Sequence, residues 1–204
     1  MQIPYRHLEK IKINQHQSKP TRKTIDAARC LLVLLPKKPA ERDWQQLPHG
    51  ATLKSRLQRT RRSTPDAAQL VTDLPNATGT HVILQCMDPA DSSFGQLVLA
   101  RELATKVRVV NPSSLLIQVA GLKGNEARRA TEHLLAGLLA AVCPMPSLKS
   151  RTGKPAALKR IDLYGLKTAL DPEPLRAELM GNHLARWLSV LPANELTPGA
   201  YRSF

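Results

Sequence analysis

Hydrolysis at a metal centre needs several carboxylates or imidazoles gathered around one ion, with a further group to hold or activate water. Here the six histidines are scattered and no His-Glu-x-x-His run occurs. The one dense acidic stretch, residues 171–178, fits the start of a helix better than a ligand set, because carboxylates stabilise the free N–H groups there. Nucleophilic catalysis is equally unsupported. No Gly-x-Ser-x-Gly turn is present, and Cys30, Cys86 and Cys143 stand singly in apolar runs where burial disfavours the thiolate. The expected catalytic, cofactor and metal residues within this chain are therefore none.

Two groups of residues are candidates for binding. Gly121-Leu122-Lys123-Gly124 follows an apolar run and opens a long helical pattern, so Gly121, Lys123 and Gly124 mark a possible anion site at free helix N–H groups. It lacks the further glycines and the Gly-Lys-Ser/Thr ending of phosphate loops, and an ordinary strand-to-helix turn is the alternative. Lys54, Arg56, Arg59, Arg61 and Arg62 lie on one predicted helix and offer possible contacts to nucleic acid. Few aromatics accompany them for base stacking, and a solvated basic face is the competing reading.

The elements that must position these residues follow from hydrophobic pattern. Continuous apolar runs at 30–35, 81–86 and 115–120 read as strands buried on both faces, and the alternation at 159–164 as a strand with one wet face. Between them, residues 43–47 suggest a helical turn and 50–62 a helix with Leu53 and Leu57 inward. A helix capped by Ser92 or Ser93 shares Leu97, Ala100, Ala104 and Val107 on one face, with Val107 to Val110 a possible strand of its own. A long helix after Gly124 turns Ala127, Ala130, Thr131, Leu134, Leu138, Ala141 and Val142 inward. Residues 64–79 read as turns, and 149–155 as an exposed basic loop. Residues 1–25 read as a basic, partly mobile arm in which Ile11 and Ile13 could make a short edge strand. Strand and helix alternate throughout residues 26–170, which predicts an α/β three-layer sandwich with a mixed, largely parallel sheet.

Residues 171–191 predict a connecting helix started by Asp171 and Pro172, with Ala177, Met180, Leu184, Trp187, Leu188 and Leu191 as its docking stripe. Pro192 ends it, and residues 192–204 read as an extended interdomain linker leading toward a second domain that the chain does not contain. Within this stretch Ala185-Arg186, Leu188, Pro192-Ala193-Asn194 and Thr197-Pro198 resemble the junction segment of the cytosolic leucine aminopeptidases, which are two-metal exopeptidases. The resemblance implies a macro-domain-like, non-catalytic N-terminal domain with a regulatory or assembly role. It also implies a parent enzyme with two divalent ions, zinc or manganese, in its own catalytic domain, assembled as a hexamer. The metal ligands and the catalytic lysine and arginine of that family belong to an Asn-Thr-Asp-Ala-Glu-Gly-Arg type of motif, which does not occur between Met1 and Phe204. Two alternatives stand beside it: a free-standing polyanion or nucleic-acid binding module, and a macro-domain-like binder of nucleotide or ADP-ribose.

Composition bounds the partners. The chain of 204 residues has a formal net charge of +14. Residues 1–75 hold 15 Lys and Arg against 6 Asp and Glu, so the surplus concentrates toward the N-terminus, which attracts polyanions without dictating fold. No apolar run approaches the roughly 18 residues of a membrane span. The odd cysteine count without a Cys-x-x-Cys pair suits buried thiols in a reducing compartment, so a cytoplasmic location is expected.

Overall fold

The computed structural model describes residues 8–146, 156–192 and 194–202. Residues 1–7, the loop expected at 149–155, Ala193 of the junction motif and Phe204 lie outside the described residues. Six strands form one sheet in the order β1-β6-β5-β2-β4-β3. They are β1 (Lys12–His16), β2 (Cys30–Pro36), β3 (Gln69–Asp73), β4 (His81–Met87), β5 (Ser114–Val119) and β6 (Arg160–Tyr164). All neighbours are parallel except β3, which runs antiparallel to β4.

The continuous apolar run of β2 has the meaning expected of it. Cys30, Leu32 and Leu34 point into one core and Leu31, Val33 and Leu35 into the other, all within 1% of complete burial. Successive side chains of a strand leave opposite faces, so a strand apolar at every position needs cover on both. Helices α4 (Ser93–Val110), α5 (Gly124–Val142) and α6 (Glu173–Val190) supply the first layer. The other is built from α2 (Glu41–Gln45) and α3 (Gly50–Ser63), with α1 (Arg22–Asp26) beside them. The three-layer α/β sandwich read from the sequence is the observed architecture.

Several local expectations are corrected. Residues 69–73, read as turn, form β3. Only Leu70 of that strand is buried, so the apolar signal that marks a strand is nearly absent. Residues 107–110 continue α4 instead of starting a strand, because Val107 packs in the core and Asn111, at φ 47°, closes the helix by donating to the Val107 carbonyl. Leu97 stays 41% exposed, and Leu103 takes the inward position. Within the stretch read as a basic arm, Ile13 belongs to edge strand β1, Ile11 is buried just before it, and Leu8 and Ile25 are buried as well.

The docking face of α6 is rotated from the expected stripe. Arg176, Leu179, His183 and Trp187 are buried, whereas Ala177 is exposed and Met180, Leu184 and Leu188 are half-buried. A hydrophobic pattern excludes Arg and His from an inward face, but here the interior supplies acceptors. The Arg176 guanidinium donates to the carbonyls of Leu8 and Ile11, the latter at 2.6 Å, and its Nε lies 3.2 Å from Glu173 Oε1. The helix begins at Glu173, with Asp171 Oδ1 accepting from the Glu173 N–H at 3.0 Å. Pro198, expected to keep the chain extended, instead starts a short helix, α7 (Pro198–Arg202); its fixed φ suits a first helical turn.

Arg176→Met keeps the apolar stem but strands two buried carbonyls. It is expected to lower the unfolding free energy by about 2–3 kcal/mol, read as an earlier urea midpoint at unchanged slope. Arg176→Lys should recover only part of the loss, since an ammonium lacks the planar fork that reaches both carbonyls. A midpoint unmoved by Arg176→Met would show that α6 is held by its apolar contacts alone.

Candidate functional site

In a parallel sheet the loops at the carboxyl ends of the strands converge, and open α/β sheets place ligand crevices there. This chain has a pocket of about 350 Å³ at that edge, lined by residues after β5, after β6 and on α2. Gly121 and Gly165 shape it. Gly121 has φ +75°, and a Cβ there would lie 2.7 Å from the Asp43 carboxyl carbon; Gly165 has φ +95°, and a Cβ there would meet the Val119 carbonyl at 1.9 Å. Both positions need the backbone freedom and the missing side chain of glycine.

The predicted anion residues Gly121, Lys123 and Gly124 all line this pocket, at the start of α5. Lys123 is the N-cap and no side chain caps the helix; the Glu126 N–H donates to the Lys123 carbonyl at 3.1 Å, and no side chain satisfies the N–H groups ahead of it. Arg42, Arg128 and Lys167 add positive charge to the lining, although Arg128 already binds Glu132 at 2.8 Å. Asp43 was not foreseen here. It is buried, and its Oδ2 accepts from the Ala40 N–H at 2.8 Å to close the start of α2. A carboxylate in the floor opposes anions, so the pocket pairs a basic rim with an acidic base.

The five cations of α3 are brought onto one helix but are not equally available. Lys54 pairs with Glu41, Arg56 donates to Thr72 Oγ1 and to the Asp73 carbonyl, and Arg61 donates to the Ala67 carbonyl at 3.0 Å. These contacts fasten α3 to α2 and to the ends of β3. Arg59 and Arg62 remain exposed. Much of what read as a basic binding face is therefore used to hold the outer layer in place.

The junction residues sit on the surface. Ala185 and Arg186 are exposed on α6, Leu188 and Pro192 are half-buried, and Asn194, Thr197 and Pro198 are exposed. The Pro192 carbonyl accepts from the N–H groups of Glu195 and Leu196, at 2.9 and 3.0 Å. Ala185, Arg186 and Asn194 are exposed, so burial in this domain's core does not select their types, whereas Pro198 opens α7.

Among the described residues no three His, Cys, Asp or Glu side chains converge to hold a metal ion. The cysteines are buried, and desolvation pushes the Cys30 thiol up to about 12 and Cys143 up to about 11; thiols so placed are poor nucleophiles. One cluster escaped the sequence reading because its members are far apart in the chain. His49 adopts a left-handed conformation at φ 61°, and its Nε2 lies 2.8 Å from Asp26 Oδ1. Asn76 donates to the same oxygen at 2.8 Å and to Thr80 Oγ1 at 2.9 Å, while Thr80 donates to the Ile25 carbonyl at 3.0 Å. Asn76 and Thr80 bond each other within one turn, and the remaining bonds stitch that turn and the start of α3 to the end of α1.

No protein-family model matches this chain, and no curated protein matches it by sequence. Solved structures do resemble it. A tomato leucine aminopeptidase mutant superposes with a TM-score of 0.66 at 16% identity, over 95% of this chain and 41% of that one. A bottromycin maturation enzyme superposes with a TM-score of 0.52 at 15% identity, over 87% of this chain and 36% of that one. The likeness shows the fold. The chain spans less than half the length of either protein.

The hydrogen bonds from Asn76 and His49 and the charge of Arg22 hold the Asp26 carboxyl below its ordinary value against the desolvation that raises it. A depressed carboxylate contributes stability that is complete above the unfolded-state value, near 3.8, and is lost as pH falls through the folded-state value. Asp26→Asn is therefore expected to flatten the decline of unfolding free energy below pH 4 relative to the parent chain. Equal acid slopes in urea titrations of the two proteins would exclude the Asp26 cluster as a source of acid sensitivity.

Proposed function

We propose that this chain is the non-catalytic N-terminal domain of a leucyl aminopeptidase-type protein, serving regulation or assembly. The observation that carries the reading is the extent of the likeness: it takes in 95% of this chain but only 41% of the tomato enzyme, as one domain of a larger protein would. The surface-exposed junction residues Ala185, Arg186 and Asn194 support it, since types that burial in this core does not select are explained by a neighbour that packs on them. Such a parent would be a cytoplasmic, hexameric exopeptidase removing N-terminal amino acids from peptides. Its two divalent ions would be held by the catalytic domain of that parent; among the residues described here no three His, Cys, Asp or Glu side chains come together to hold one.

The purified 204-residue chain is expected to give no hydrolysis of leucine-p-nitroanilide with added zinc, manganese or cobalt. Chelator-sensitive turnover by a homogeneous sample would overturn the reading. The reading frame that encodes it should continue into a second domain carrying paired carboxylates and a lysine, and a stop codon directly after Phe204 would count against it.

The pocket at the carboxyl edge of the sheet favours a second reading, that of a nucleotide or ADP-ribose binder. The uncapped start of α5 and the rim of Arg42, Lys123 and Lys167 suit a diphosphate, while the buried Asp43 carboxylate works against one. Titration calorimetry with ADP-ribose separates the two readings. Saturable binding tighter than about 100 μM, lost in Lys123→Glu, selects the binder; no heat at millimolar ligand is the outcome expected of an assembly domain.

A further inference from the structure

The floor of the pocket at the carboxyl edge of the sheet holds more acceptor than the protein itself satisfies. Asp43 is 5% exposed and still lines the cavity. Its Oδ2 accepts from the Ala40 N–H at 2.8 Å, whereas its Oδ1 has no hydrogen bond among the described residues and faces only the Arg42 Nε, at 3.9 Å. The Arg42 side chain is 71% exposed, so water screens it and it compensates the buried charge poorly. Gln118 shows the same imbalance beside the lining. It is buried, its Nε2 donates at 3.1 Å to the carbonyl of Gln46, a lining residue, and its Oε1 is buried without a donor. Buried acceptors left in this state are costly, and both point to a ligand that brings N–H donors. At a carboxylate the strongest such donor is a cation.

The opposite charge stands at the mouth. Lys123 and Lys167 line the pocket, are exposed, and take part in no ion pair among the described residues, and no side chain caps the start of α5 between them and the core. These groups suit a carboxylate. The rest of the wall is apolar, for Val119, Leu122, Ala127 and Leu166 are all buried and all line the cavity. A simple anion is opposed by Asp43 and a simple cation by the lysines. A zwitterion satisfies both.

We propose that the pocket binds a free α-amino acid with an apolar side chain: its ammonium on Asp43 Oδ1, its carboxylate at Lys123 and the start of α5, and its side chain against Leu122 and Leu166. A volume of about 350 Å³ lies near the lower end of ligand pockets, which run from about 300 to 1,000 Å³, and accommodates a molecule of that size. The proposal rests on the cavity and its charges, independently of the aminopeptidase reading.

Titration calorimetry of the 204-residue chain with L-leucine tests it, with amide chemical shifts as a second readout. Saturable one-to-one binding is expected with a dissociation constant on the order of 100 μM, since so small a ligand has few atoms with which to offset its lost freedom. Leucinamide lacks the carboxylate and N-acetyl-leucine lacks the ammonium, and each should bind at least about tenfold more weakly. Asp43→Asn keeps an acceptor for the Ala40 N–H but removes the charge, and Lys123→Glu reverses the rim at an exposed position; each should cost about tenfold in affinity for leucine. The ligand series needs no substitution, so it decides the matter even where Asp43→Asn lowers stability. Neither heat nor shift change at about 10 mM leucine overturns the proposal. So does either analogue binding as tightly as leucine, an affinity untouched by both substitutions, or saturable binding of ADP-ribose by a pocket that refuses leucine.

Discussion

Strand β2 is hydrogen-bonded along both edges, to β4 and to β5, and covered on both faces. Six consecutive residues, Cys30 to Leu35, have no route to water. Everything else in the architecture answers that demand. The sheet must extend on either side, two helical layers must cover it, and parallel neighbours must be joined by crossovers long enough to carry those helices. The carboxyl ends of β5 and β6 and the segment after β2 then meet at one edge, and the pocket is a by-product of that geometry.

The ends of the chain are tied to this core by polar contacts placed where apolar contacts alone would leave carbonyls stranded. Arg176 carries its charge into the interior, but two backbone oxygens and Glu173 receive it. The same economy appears in α3, where Arg56 and Arg61 reach back to carbonyls at the ends of β3. In both places a cation that sequence inspection assigns to solvent is spent on holding one element against another. The formal charge of +14 therefore overstates the positive surface open to a polyanion.

Among the described residues three surfaces differ in character: a pocket with a basic rim and an acidic floor, the exposed side of α6 leading into α7, and the apolar outer face of α4.

Burial on both faces leaves its mark on every residue of a strand, so β2, β4, β5 and the sandwich class could be read from the one-dimensional pattern. The same holds for α3 and α5, whose apolar positions repeat at the helical period. The pocket's Gly121, Lys123 and Gly124 were legible because a helix start after a strand is a local feature. What the pattern concealed was decided by partners distant in the chain. Edge strand β3 buries a single side chain and so carries no period. The inward Arg176 and His183 reverse the rule that polar residues face out, because Leu8 and Ile11, far from α6 in sequence, offer carbonyls to the arginine. Asp43 reached the pocket floor, and His49 met Asp26 and Asn76, only when loops from different parts of the chain were folded together. Hydrophobicity is a property of each residue and survives in the sequence. The satisfaction of a buried donor or charge is a property of a pair, and only the tertiary structure brings the pair together.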